Sequence, residues 1–232
     1  MNVNEVMSLL KDNQNDRGME HWNNGFAKDS GLSSFGIGLT VLRKLAKQVG
    51  RDRDLAHELW QTDVYDARVI GLLIDDPKQI TREQVETQVE QLAGGYLAHV
   101  FSTCGATLAN AALAQEVASD WMVHTDPIRR RCAHGLNYEM SKSKKKTAPD
   151  DDYFLKVLAL IDDSFDDEDI DTKMSKGSAV MGIGMRNATL HGPALKLARK
   201  ICPIDFDPTG ACDPFDAVKH LTSDRIKQKL GV

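Results

Sequence analysis

Apolar residues recur along this chain with a helical period. Leu42, Leu45, Ala46 and Val49 follow the i, i+3, i+4, i+7 spacing of one buried helix face, and Gly50 is a natural stop. Leu55, Ala56, Leu59 and Trp60 predict the next short helix. Ala67, Ile70, Gly71 and Ile74 predict another, ended near Asp76-Pro77 because proline disfavours helix in the residue before it. Thr81 with Gln84 reads as a capping box ahead of Val85, Val89 and Leu92. Asp126-Pro127 is a cap and first-turn pair that opens a helix through Ala133 and Leu136. Tyr153–Ile161 and Ser178–Met185 carry further apolar faces, and Ala194, Leu195, Leu197 and Ala198 lead to Ile201. Strand alternation bounded by hairpin turns is not found. The pattern predicts an all-α chain whose short helices, joined by short polar turns, suit the stacked antiparallel pairs of an α-α solenoid.

Composition narrows this only a little. A chain of 232 residues with 41% hydrophobic content is expected to fold as a single repeat domain over residues 1–232. The net charge of −5 gives no global attraction to nucleic acid, so any such binding needs a local basic face. Tyr96–Gln115 carries no charge, but His99, Ser102, Thr103, Thr107 and Asn110 leave it too polar for a membrane span; helices buried among other helices are expected there. Four widely spaced cysteines without a CxxC pair, and no secretory leader at Met1–Asp16, point to reduced thiols in a cytoplasm. His57, His99, His124 and His134 lack metal-ligand spacing, so no metal or cofactor is expected. Cys104 has no sequence-adjacent His/Asp pattern that marks a nucleophile.

The charged clusters offer the candidate chemistry. Arg129, Arg130 and Arg131 are consecutive on a helix, so they fan over about 200° and cannot all face one ligand. One arginine paired to a carboxylate with two solvated competes there with phosphate binding. Lys142, Lys144, Lys145 and Lys146 sit in the SKSKKKT loop, either solvated or clamping phosphate. Lys176, Arg186, Lys196 and Arg199 are placed to extend such a face, and Asn187 beside Arg186 to cap a helix C-terminus. The Asp162–Asp171 run lacks EF-hand spacing and reads as an acidic connector with one aspartate capping the next helix.

Four fragments in order resemble the DNA alkylation repair family of AlkD-like DNA glycosylases, built from HEAT-like repeats. They are Phe35-Gly36-Ile37 with Leu42-Arg43 and Leu45-Ala46-Lys47; Leu55-Ala56, Leu59-Trp60 and Tyr65-Asp66-Ala67-Arg68; Arg130-Arg131-Cys132-Ala133; and Ile183-Gly184-Met185-Arg186-Asn187 with Leu190 and Ala194. Cys212 with Asp216-Ala217 resembles the tail of one branch. The likeness spans about Ser34 to Leu221 and implies a HEAT-like superhelix whose concave basic face cradles duplex DNA. Active members excise N-alkylated bases, using a carboxylate in a Trp-x-x-x-Asp stretch to stabilise the oxocarbenium-like sugar.

Matched to this chain, that stretch gives Phe101 and Gly105, and no Asp or Glu lies between Gln91 and Gln115. A second aromatic matches Ser178, and the family's active-site arginine matches Arg131. The resemblance thus implies a DNA-binding, alkylation-related protein in which base excision lacks its carboxylate. Phe101, Arg130, Arg131, Lys144, Lys145, Lys146 and Arg186 are the candidate DNA contacts, made to the phosphate backbone. The alternatives are a HEAT-like protein-interaction scaffold, and an active glycosylase using Glu116 or Asp120.

Overall fold

The structure, a computed structural model, describes residues 1–25, 30–92, 97–207, 209–210 and 212–232. Tyr96, the start of the uncharged stretch, lies outside them. The described residues form α-helices, a 3₁₀ turn at Thr107–Asn110, and two isolated β-bridges. None of these helices is long and apolar enough to cross a membrane. The chain divides into two compact units, residues 1–113 and 114–232.

The first unit holds α1 (Val3–Asp12), α2 (Asp16–Asn24), α3 (Leu39–Val49), α4 (Arg53–Trp60), α5 (Tyr65–Ile74), α6 (Arg82–Val89) and α7 (Leu97–Ser102). Helix α5 is its hub: α1, α3, α4, α7 and the 3₁₀ turn all pack on it, and Ala67, Val69 and Ile70 are fully buried. The expected caps are present at Gly50, which ends α3 at φ 81°, and at Thr81, which accepts the Gln84 amide proton. The box at Thr81 is only half made. The Gln84 side chain turns instead to Asp75 and Arg53. Trp60 is buried, donates to Gln91 at 2.6 Å and lies against Phe101.

Asp66 ties the Phe35-Gly36-Ile37 segment to this hub. Its carboxylate accepts from Ser34 Oγ, Phe35 N and Ile37 N at 2.7, 2.8 and 3.1 Å. Burial raises its pKa, opposed by those hydrogen bonds. Gly36 is required here twice over: it has φ 68°, and a Cβ would lie 2.3 Å from Met19 N of α2.

The second unit holds α8 (Ala114–Met122), α9 (Pro127–Lys142), α10 (Asp151–Ser164), α11 (Ile170–Gly184), α12 (Ala188–Ile201), α13 (Ala217–Leu221) and α14 (Asp224–Leu230). Alternate helices pack side by side and run parallel. Thr172, Ser175 and Arg186 of the α11 segment bond to Pro127, Arg131 and Ser141 in turn, and Asn187 and Lys200 of the α12 segment to Asp151 and Asp162. That order is what stacked helical hairpins produce.

Asp126 and Pro127 open α9 as expected. Asp169 caps α11, as the acidic run implied. Helix α11 starts eight residues before Ser178, because polar Thr172 and Lys176 are buried in its first turns through hydrogen bonds rather than apolar contact. Asn187 caps the N-terminus of α12, not a C-terminus, by accepting from Leu190 N.

Candidate nucleic-acid interface

The basic candidates divide: the α9 arginines and Lys176 are engaged within the protein, whereas Lys144, Lys145, Lys146, Lys196 and Arg199 are exposed. Arg129 pairs with Asp126 over the Trp121 ring. Arg130 lays its guanidinium along Glu168 at 2.7–3.0 Å and donates to the His124 and Thr125 carbonyls. Arg131 bonds Asp171 at 2.8 Å. The expectation of one paired and two solvated arginines is thus corrected: each of the three has a carboxylate, Arg129 the α9 cap Asp126, and Arg130 and Arg131 two members of the acidic run, Glu168 and Asp171, that stand beside α9. Lys176, expected on a basic face, is buried between Glu168 and Ser164. Phe101 is also corrected, since it is 1% exposed and its ring has no face left for a sugar.

Arg186 has a different office. Its guanidinium donates to the Ser141, Ser143 and Pro149 carbonyls and lies over the Phe154 ring. It therefore fastens both ends of the lysine loop to α11. Lys144, Lys145 and Lys146 are exposed on that loop, and Lys144 lines a cleft of about 640 Å³ with Lys142, Arg186, His220, Arg225 and Lys229. No carboxylate lines it among the described residues. Lys142 pairs with Glu139, Lys229 donates to the Met185 carbonyl, and Lys144 and Arg225 make no ion pair among the described residues. Arg225 and Lys229 escape a sequence reading because they stand on α14, beyond the fragments that carry the resemblance.

The carboxylate position is not helical. Helix α7 ends at Ser102, Cys104 has φ 60° and Gly105 φ 88°. A Cβ at Gly105 meets only Arg43, at 3.9 Å, so space is not what excludes a side chain; the left-handed backbone is. Cys104 in that region costs on the order of 1–3 kcal/mol, and Arg43 Nε holds its carbonyl at 2.7 Å. The thiol also has the imidazole partner that the sequence pattern lacks: His99 Nε2 lies 3.2 Å from Cys104 Sγ. Glu116 and Asp120 lie on the exposed face of α8, and Ser178 is half-buried on α11.

Comparison with known proteins now decides the family. A family model described as DNA alkylation repair enzyme matches residues 5–202. The chain belongs to this family. A solved structure from a family related to the HEAT-like repeat DNA glycosylases, with affinity for branched DNA structures, matches this alkylation-repair chain with a TM-score of 0.82. The two are 19% identical, and the match covers 100% of this chain and 97% of the other. The fold is therefore the HEAT-like helical repeat that the short helices predict. No curated protein matches the chain.

Proposed function

We propose that this alkylation-repair family member binds DNA by its phosphate backbone, through the basic cleft of the second unit, without base excision at residues 101–105. The cleft carries the reading: five cationic side chains and His220 line it with no carboxylate among them, in a chain of net charge −5. Such local concentration draws a polyanion where the whole molecule does not. Lys144 and Arg225 are the leading phosphate ligands, and Arg186 is the positioning residue that sets the loop bearing Lys144. Lysine and arginine contacts of this kind fix a backbone and carry no base readout. The affinity of the structural relative for branched DNA supports DNA as the ligand and makes a junction the first substrate to try.

Titration of a labelled four-way junction and a matched duplex with the full chain tests this. Both are expected to bind at low salt, and a Lys144→Ala/Arg225→Ala double variant to weaken both several-fold. Absence of binding, or binding that ignores the double variant, overturns the reading in favour of a protein-interaction scaffold.

A further inference from the structure

The first unit holds a second basic cleft, of about 550 Å³, that the DNA reading does not use. Arg43, Lys47 and Arg51 line it together with Cys104 and Gly105. Cys104 is half-buried and held in a left-handed backbone conformation, with Arg43 Nε on its carbonyl and His99 Nε2 at 3.2 Å from its sulfur. Thr103 Oγ1 lies 3.3 Å from the same sulfur and donates to the His99 carbonyl, which ties the α7 end to the thiol turn. A thiol beside an imidazole is the arrangement that generates a thiolate nucleophile, since the ring accepts the S–H proton.

We propose that Cys104, with His99 as proton acceptor, is a nucleophilic thiol that takes an alkyl group from an alkyl phosphotriester. The proposal rests on the DNA reading above, which makes a backbone phosphate the carrier. The sulfur attacks the alkyl carbon, the S–C bond forms as the C–O bond breaks, and the phosphodiester leaves with the bonding pair. The thiol proton remains on His99, and no oxidant or reductant is needed.

The charge of the cleft selects this class. A triester is neutral at its phosphate, and its product is an anion, so Arg43, Lys47 and Arg51 stabilise charge that appears only as the reaction proceeds. An N-alkylated purine is a cation that loses its charge on transfer, and a basic rim opposes its approach.

The full chain is incubated with duplex oligonucleotide carrying one methyl phosphotriester, and its cysteine peptides are read by mass spectrometry. One methyl is expected on Cys104 and none on exposed Cys212, absent in Cys104→Ser and slowed on the order of 10²-fold in His99→Ala. Iodoacetate gives a readout independent of DNA: relative to iodoacetamide it should favour Cys104 over Cys212, and Lys47→Gln should remove that preference. Oligonucleotide binding without methyl transfer, or equal reactivity of Cys104 and Cys212, overturns the thiol proposal alone. Absence of binding overturns the DNA reading and the proposal with it.

Discussion

The Lys176 ammonium lies 2.8 Å from a Glu168 carboxylate oxygen, with both side chains almost wholly buried. Arg130 closes the other side of that carboxylate at 2.7 Å. Burial opposes ionisation of Glu168, yet Arg130 and Lys176 together hold its pKa below the usual carboxylate range, so the anion persists. Removing it strands a buried ammonium. Glu168→Ala is expected to cost about 3–5 kcal/mol in chemical denaturation, and Glu168→Leu with Lys176→Met less, because no buried ammonium is stranded and Arg130, partly exposed, keeps the His124 and Thr125 carbonyls. A single-variant loss under about 1 kcal/mol would place the pair in solvent.

His134 sits beside this cluster, fully buried, with Nδ1 lacking a partner among the described residues. Burial, then the Lys176 charge, pushes its pKa from 6.5 to about 3. The folded state keeps the ring neutral while the unfolded chain protonates it below its ordinary pKa. Its contribution is therefore complete above pH 6.5 and is lost as pH falls toward about 3. Between pH 6 and 5 the stability should fall with a slope approaching 1.4 kcal/mol per unit, roughly one proton. His134→Leu should flatten that limb, and an unchanged slope would show that the ring titrates in the native state.

Gly36 should not tolerate a side chain. Gly36→Ala meets Met19 N and a positive φ, and should destabilise by more than about 2 kcal/mol. Thermal denaturation of the variant checks this; a loss below about 0.5 kcal/mol would contradict the close approach of Gly36 to α2.

Release of N3- or N7-methylated bases from duplex DNA should not exceed a buffer control. Gly105 supplies no carboxylate, and Gly105→Asp should not restore one in place, because φ 88° strains any side chain there. Robust release would mean that a group other than the residue at 105 performs the excision, and would overturn the reading of a site without its carboxylate.

Helices are legible in the sequence where burial is apolar and periodic, as in α3 with Gly50 and α9 with Asp126-Pro127. They are hidden where burial is polar. The start of α11 carries no apolar signal because Lys176 is buried by charge pairing, and Asp66 looks like a surface residue because its partners lie 29–32 residues earlier. The site suffers in the same way. Arg130 and Arg131 read as ligands until Glu168 and Asp171 stand beside them, a pairing 38–40 residues apart that no local pattern encodes. The lysine loop keeps the exposure its sequence suggests, as do Lys196 and Arg199 on α12, and the loop's anchor, Arg186, acts through carbonyls rather than phosphates.

Salt dependence of DNA binding is the most direct test of the basic cleft. Each neutralised phosphate contributes about −0.9 to the slope of log K against log salt, so contacts by Lys144, Arg225 and one or two cleft neighbours give a slope of about −2.7 to −3.6. The Lys144→Ala/Arg225→Ala variant should flatten it by about 1.8, while Arg131→Ala, already engaged with Asp171, should leave it unchanged. A slope near zero, or one flattened by Arg131→Ala and not by the cleft variant, would contradict phosphate binding in this cleft.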